Sequence, residues 1–222
     1  DGRYNPEEFD IFAQKLDING DKIWNNYGVA VCNATANQKN PRLKADSEDG
    51  VWIIWDDGRE AGANYEDIYI QHINDEGDIE LNPDGQIVCD AARQQFSSLL
   101  KINDAGDIFA AWGDKRDGSI GIYIQIYDEN ANEVLAENGE IVYYGLSGNA
   151  ENFVLKNKGN KSIVFWQDTR NASIATQIYF QIMNNDGMFD FIEDGIPITE
   201  MTGFDQLNLD VAVSGSEDEI AV

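Results

Sequence analysis

The sequence predicts an all-β chain: a β-propeller of four repeats of about 55 residues, each with four strands. Three observations predict it. A phrase of the form Ile-aromatic-X-Gln returns four times, at Ile11–Gln14, Ile68–Gln71, Ile122–Gln125 and Ile178–Gln181. Each is preceded by an Asp-X-Arg step (Asp1/Arg3, Asp57/Arg59, Asp114/Arg116, Asp168/Arg170), and a Gly stands 14 residues after each Gln, at Gly28, Gly85, Gly139 and Gly195. No window carries a capped apolar stripe of helical period, whereas β-branched and aromatic runs alternate with Gly/Asn/Asp punctuation.

One period shows the four strands in order. Residues 97–102 (Ser-Ser-Leu-Leu-Lys-Ile) form a short apolar run that ends at the turn signal Asn103-Asp104-Ala105-Gly106. Asp107–Trp112 is the second strand, closed by Lys115–Ser119. Gly121–Tyr127 is the third, with Ile122, Ile124 and Ile126 on one face and Tyr123, Gln125 and Tyr127 on the other. Glu140–Tyr144 is the fourth. A third strand apolar on both faces suits a sheet covered on both sides by neighbours, not one wetted on one side.

The repeated polar residues read as a structural cassette. It comprises Trp55, Asp57, Arg59 and Gln71; Trp112, Asp114, Arg116 and Gln125; and Trp166, Asp168, Arg170 and Gln181. The Trp fills space between sheets, and Asp and Arg pin the turn from second to third strand. A buried Gln needs fixed partners, and the acceptor Asp and donor Arg of the cassette are the natural ones.

The even repeat predicts a single domain over 1–222, with repeats at approximately 1–56, 57–113, 114–167 and 168–222 in circularly shifted phase. The chain starts at the tail of one repeat and stops near the Trp position of another. Two arrangements stay open: a four-bladed ring, or a stretch of a longer array.

Composition narrows the function. With Asp+Glu 41 against Lys+Arg 15, the net charge is −26, which opposes nucleic-acid binding and anionic membrane surfaces. No apolar run approaches the length of a membrane span. Cys32 and Cys89 close equivalent fourth strands, and where the repeat continues Tyr143 and Thr199 replace them, so they read as buried free thiols. The turns beginning at Asp17, Asn74 and Asn103 resemble pieces of calcium loops. At five residues they fit hairpins better, so no cofactor and no metal site are predicted, beyond adventitious calcium on so acidic a surface. One histidine, His72, has no Cys partner and no Ser in an elbow motif, so no catalytic residue is assigned and the chain is read as not an enzyme.

Where the copies differ, ligands are sought. The spacing from Arg to the third-strand Ile is 8, 9, 6 and 8 residues, so the second-to-third-strand loop is the variable segment. Variable loops on a rigid scaffold carry binding, which makes Tyr4, Phe9 and Tyr65 the ligand-facing candidates, with a protein or glycan ligand or other chains of an assembly as partner. Asn33-Ala34-Thr35 and Asn171-Ala172-Ser173 match the N-glycosylation pattern.

The run Trp55-Asp56-Asp57-Gly58-Arg59 leading to Asp67-Ile68-Tyr69-Ile70-Gln71, the turn Asn74–Gly77 and the Trp24/Gly28 pair resemble a repeat of secreted, multi-repeat bacterial surface proteins. Many of these come from Bacteroidota-like bacteria and carry a C-terminal type IX secretion sorting domain. The chain is also similar to the propeller repeat of the Tol–Pal periplasmic protein. Gln167, Thr169 and Gln177 depart from the pattern in the last copy. The resemblance implies a propeller exported to the cell surface or beyond. The function expected is thus a non-catalytic binding or adhesion scaffold. A structural subunit of an extracellular assembly comes second and a polysaccharide-acting propeller hydrolase third.

Overall fold

The computed structural model describes residues 2, 7–59, 65–145, 148–170, 175–192, 194–198, 203–214 and 220–222. The strands are β1 (Ile11–Ala13), β2 (Val29–Cys32), β3 (Gln38–Ala45), β4 (Val51–Asp57), β5 (Asp67–Ile73), β6 (Gln86–Cys89), β7 (Gln95–Ile102) and β8 (Ile108–Asp114). They continue with β9 (Gly121–Tyr127), β10 (Glu140–Tyr143), β11 (Ala150–Lys158), β12 (Lys161–Asp168), β13 (Gln177–Asn184), β14 (Ile196–Pro197), β15 (Ala212–Val213) and β16 (Ile220–Ala221). Among the described residues there is no helix, and so none long and apolar enough to cross a membrane.

Strands adjacent in sequence pair in space. Three four-stranded sheets of propeller-blade type result, β3-β4-β5-β6, β7-β8-β9-β10 and β11-β12-β13-β14, with two-stranded sheets β1-β2 and β15-β16. The chain, read above as one domain, groups into two compact units, 1–98 and 99–222, the division falling within β7. The central pairs run without slip: Ile108↔Tyr127 through Asp114↔Gly121, and Val51↔Ile73 through Asp57↔Asp67. All seven residues of β9 are buried, which accounts for its apolar character on both faces.

In the first unit, Ile11, Val31 and Cys32 of β1-β2 pack with Trp24 against Ile53, Trp55, Tyr69 and Ile73 of the next sheet. In the second, Phe109, Ile124 and Tyr143 meet Leu155, Val164, Trp166 and Met183. Ile163 and Phe165 lie on the other face of β12 with Val211. The central strands β4, β8, β9 and β12 are buried on both faces, as in a repeat that cannot cover itself.

The repeated polar residues close on one another. The indole N–H of Trp55 donates to the Asp57 carboxylate (2.7 Å), Trp112 to Asp114 (3.0 Å) and Trp166 to Asp168 (2.9 Å). The same carboxylates take the backbone N–H of Arg59, Arg116 and Arg170 and their guanidinium groups. Each guanidinium lies over the aromatic ring of the Ile-aromatic-X-Gln phrase, at 4.1 Å for Tyr69, 3.8 Å for Tyr123 and 4.1 Å for Tyr179. Burial works to lower the pKa of Arg59 and Arg170, but Asp57 and Asp168 outweigh it and raise both.

The expected partners of the glutamines need correction. Gln71 donates to Asn82 O and accepts from Leu81 N, Gln125 to Ala136 O and from Leu135 N, and Gln181 to Ile192 O and from Phe191 N. The amide thus copies a peptide group and holds the connection between third and fourth strands, where a charged partner is not required. Asp and Arg also do more than pin the turn after the second strand. Each Arg reaches across to a carbonyl at the entry to the fourth strand: Asp84, Asn138 or Asp194.

Directly after those carbonyls stand the spaced glycines. Gly139 has φ +75°, and a Cβ there would lie 2.5 Å from the Trp112 ring and 2.6 Å from Ile124 O. Gly195 is placed likewise, with a Cβ 2.6 Å from the Trp166 ring. The recurring interval from Gln to Gly is therefore the length of chain needed to bring a side-chain-free residue onto the indole. Gly139→Ala should lower stability by about 2–3 kcal/mol, combining a left-handed φ with a clash against a packed ring. Chemical denaturation checks this, and a neutral outcome would mean that the contact is not needed.

Candidate functional site

Asp56 and Asp57 are consecutive at the end of β4, so strand alternation sends their side chains to opposite faces. Asp57 serves the cassette. Asp56 is 2% exposed, and its place is held by Gly113 and Gln167 in the other sheets, so it breaks the repeat. It accepts from Asn40 Nδ2 (2.9 Å), Ser98 Oγ (3.0 Å) and the amides of Ser97 (3.1 Å) and Ser98 (3.3 Å). Burial pushes its carboxyl above the ordinary range against the pull of these donors.

Asn40 sits at the register slip between Lys39 and Arg42 with φ +54°. The bulge turns residues of β3 outward, and together with the β1 edge they line a cleft of about 410 Å³. Phe9, Asp10 and Phe12 form one wall; Gln38, Lys39, Asn40 and Pro41 form the other. The walls are tied by Phe9 N to Asn37 Oδ1 (3.0 Å) and Gln38 N to Phe9 O (2.7 Å). Lys39 pairs with Glu66 at 3.4 Å, and Gln94 Nε2 donates to the same carboxylate (2.6 Å).

Of the three residues singled out as ligand-facing, Phe9 lines this cleft and is 54% exposed. Tyr65 is 51% exposed beside Glu66 and does not line it. Tyr4 lies outside the described residues. Asp56 and Asn40 escaped the sequence analysis. The available signal was the lone acid among Asp56, Gly113 and Gln167, hidden because it adjoins the repeated Asp57.

Other residues weighed for chemistry serve structure. Asp17 accepts the amides of Asn19 and Asp21 at 2.8 Å, and Asn74 and Asn103 take those of Asp78 and Asp107, so these oxygens cap their own hairpins. His72 bridges Asp46 (2.6 Å) and Glu80 (2.8 Å) and stacks on Trp52 at 4.5 Å. Burial would raise the Asp46 pKa, but His72 and the amides of Glu48 and Gly50 prevail and lower it. Both cysteines are buried and neither forms a disulfide. Burial pushes the Cys32 thiol up to about 12, against the Ala34 amide and Arg59. Native Cys32 should therefore resist iodoacetamide at neutral pH and react once urea unfolds the chain; rapid native labelling would contradict its buried state.

No family model matches this chain, and no protein of curated function does. Solved structures do. The α-L-arabinanase of Penicillium chrysogenum complexed with arabinobiose matches at 14% identity and a TM-score of 0.49, over 74% of this chain and 50% of that one. An endo-arabinase from Bacteroides thetaiotaomicron matches at 9% identity and 0.47 (72% and 61%), and a glycosyl hydrolase from Bacteroides ovatus at 10% and 0.49 (92% and 58%). The chain thus spans half to about three-fifths of their lengths. At these identities no residue role is carried over. The expectation of a chain without catalysis finds no support among these structures, which are themselves glycoside hydrolases.

Proposed function

We propose that the chain forms blades of an exported propeller protein that acts on polysaccharide, and that the Phe9–Asn40 cleft holds a sugar of that glycan. The observation that carries this reading is the composition of the cleft. An exposed phenyl ring at Phe9, with Phe12 and Pro41 beside it, offers an apolar wall for the C–H face of a sugar. Lys39 and Asn40, both exposed, offer hydrogen-bonding partners for its hydroxyls, and Asp10 also lines the cleft. Asp56 acts one step behind: by holding Asn40 Nδ2 it leaves the Asn40 carbonyl oxygen to accept a ligand hydroxyl, which makes it a positioning residue. Hydrolysis of a glycosidic bond uses a pair of carboxyl groups, and Asp10 is the carboxylate that lines the cleft.

Arabino- and xylo-oligosaccharides are the first probes. Calorimetry should detect binding, weakened about tenfold by Phe9→Ala through loss of the aromatic wall. Release of reducing ends from arabinan or xylan should fall in Asp10→Asn by more than binding does. Absence of both binding and release across these glycans would overturn the proposal.

A further inference from the structure

Each four-stranded sheet has a hairpin joining its first strand to its second, and one of the three is chemically unlike the others. Between β3 and β4 stand Asp46, Glu48 and Asp49; between β7 and β8 stand Asp104 and Asp107. The β11–β12 hairpin reads Asn157-Lys158-Gly159-Asn160-Lys161, with two cations and no acid, in a chain of net charge −26. It is also shorter: Gln38 to Trp55 and Gln95 to Trp112 span 17 residues, Ala150 to Trp166 only 16.

A second change lies beneath it. Four residues before the Trp stand Val51 and Ile108, but the third sheet has Ser162, fully buried at 0% exposure. Ser162 Oγ bonds Asn157 Oδ1 at 2.6 Å, and the buried Asn157 Nδ2 meets no partner among the described residues. Turning the amide over would only move the deficit to its other end. A buried polar pair that replaces an apolar contact and leaves a donor unmet costs stability, and here it ties Asn157, the neighbour of Lys158, to β12.

The ligand space is adjacent. A cavity of about 960 Å³ is lined by Asn157, Lys158 and Lys161, has Ile163 and Ile182 as an apolar floor, and includes Asp104 as the one acid among its described lining residues. Lys158 Nζ donates to Ser214 O (2.6 Å) and Lys161 Nζ pairs with Asp190 (2.6 Å), contacts that hold both ammonium groups at the rim. From this arrangement we infer that the cavity binds a carboxylated saccharide, a uronate-bearing segment of glycan. The ammonium groups meet the carboxylate, and the isoleucines meet the C–H face. This inference rests on the glycan-acting reading but concerns a different site in the other unit.

Calorimetry with trigalacturonate, uncharged galactotriose and arabinotriose tests it. Trigalacturonate should bind and galactotriose should bind at least about tenfold more weakly, because only the former engages the ammonium groups. The double variant Lys158→Gln/Lys161→Gln should lose about tenfold for trigalacturonate with arabinotriose binding unchanged. Ser162→Val restores the residue type of the first copy, so the chain should fold while trigalacturonate binding falls. Arabinotriose binding without trigalacturonate binding would overturn the inference and leave the Phe9 cleft standing; the reverse pattern would overturn the cleft alone. Equal affinity for the charged and uncharged trimers, or lysine variants that bind as the parent does, would also overturn it.

Discussion

Trp112→Ala should destabilise the chain by about 3–5 kcal/mol, the cost of emptying a fully enclosed indole site. Trp112 is 0% exposed, stacks on Tyr123 at 6.3 Å and bonds Asp114 through its ring N–H. Its far edge rests on the bare Cα of Gly139, which has no side chain to swing in and fill the space. Trp112→Phe separates the causes: most apolar contact survives while the bond to Asp114 is lost, and the deficit should shrink to about 1–3 kcal/mol. Urea midpoints at constant m value provide the readout. An alanine variant within about half a kcal/mol of the parent, the range of an ordinary surface change, would show that the indole is not core.

Asp57→Ala should cost about 3–5 kcal/mol, because it removes one partner of a buried ion pair and leaves the other uncompensated. The Asp57 side chain is 0% exposed and that of Arg59 13%, at 2.6 Å. The carboxylate also receives the Trp55 N–H, the Arg59 amide and the Cys32 thiol, so these donors and the guanidinium lose their acceptor together. Arg59 keeps Asp84 O and the Cys32 sulfur, contacts too few to neutralise its charge. The double variant Asp57→Ala/Arg59→Met should recover part of the loss, since no buried cation remains. A cycle over the four proteins should give a coupling of about 1–3 kcal/mol. Strict additivity would show that Asp57 and Arg59 act separately.

The regularity of the chain is what made its strands legible. Gly121–Tyr127 is β9 to the residue, since an apolar run bounded by turn residues leaves little freedom. Trp, Asp and Arg stood out because each carries a distinctive side chain at a fixed interval. The partners of Gln71, Gln125 and Gln181 did not, because they are backbone groups of Asn82, Ala136 and Ile192, whose side chains leave no trace of the bond. The glycine interval was visible, but its cause, an indole from a distant strand lying on the backbone, required coordinates. Asp56 was masked by Asp57, and the outward turn of Asn40 depends on a bulge that spacing does not announce. The cleft was legible only at Phe9, because a concave surface made by two sheets has no pattern in a linear repeat.

Chemical-shift mapping with arabino-oligosaccharide on the isotope-labelled chain tests the glycan cleft most directly. The predicted result is saturable perturbation of Phe9, Asp10, Phe12, Lys39 and Asn40, propagating to Asp56 through its bond to Asn40, with saturation moved to about tenfold higher ligand concentration by Phe9→Ala. Saturable shifts that leave these residues unmoved and gather elsewhere, or no shifts with any arabino- or xylo-oligosaccharide, would contradict it.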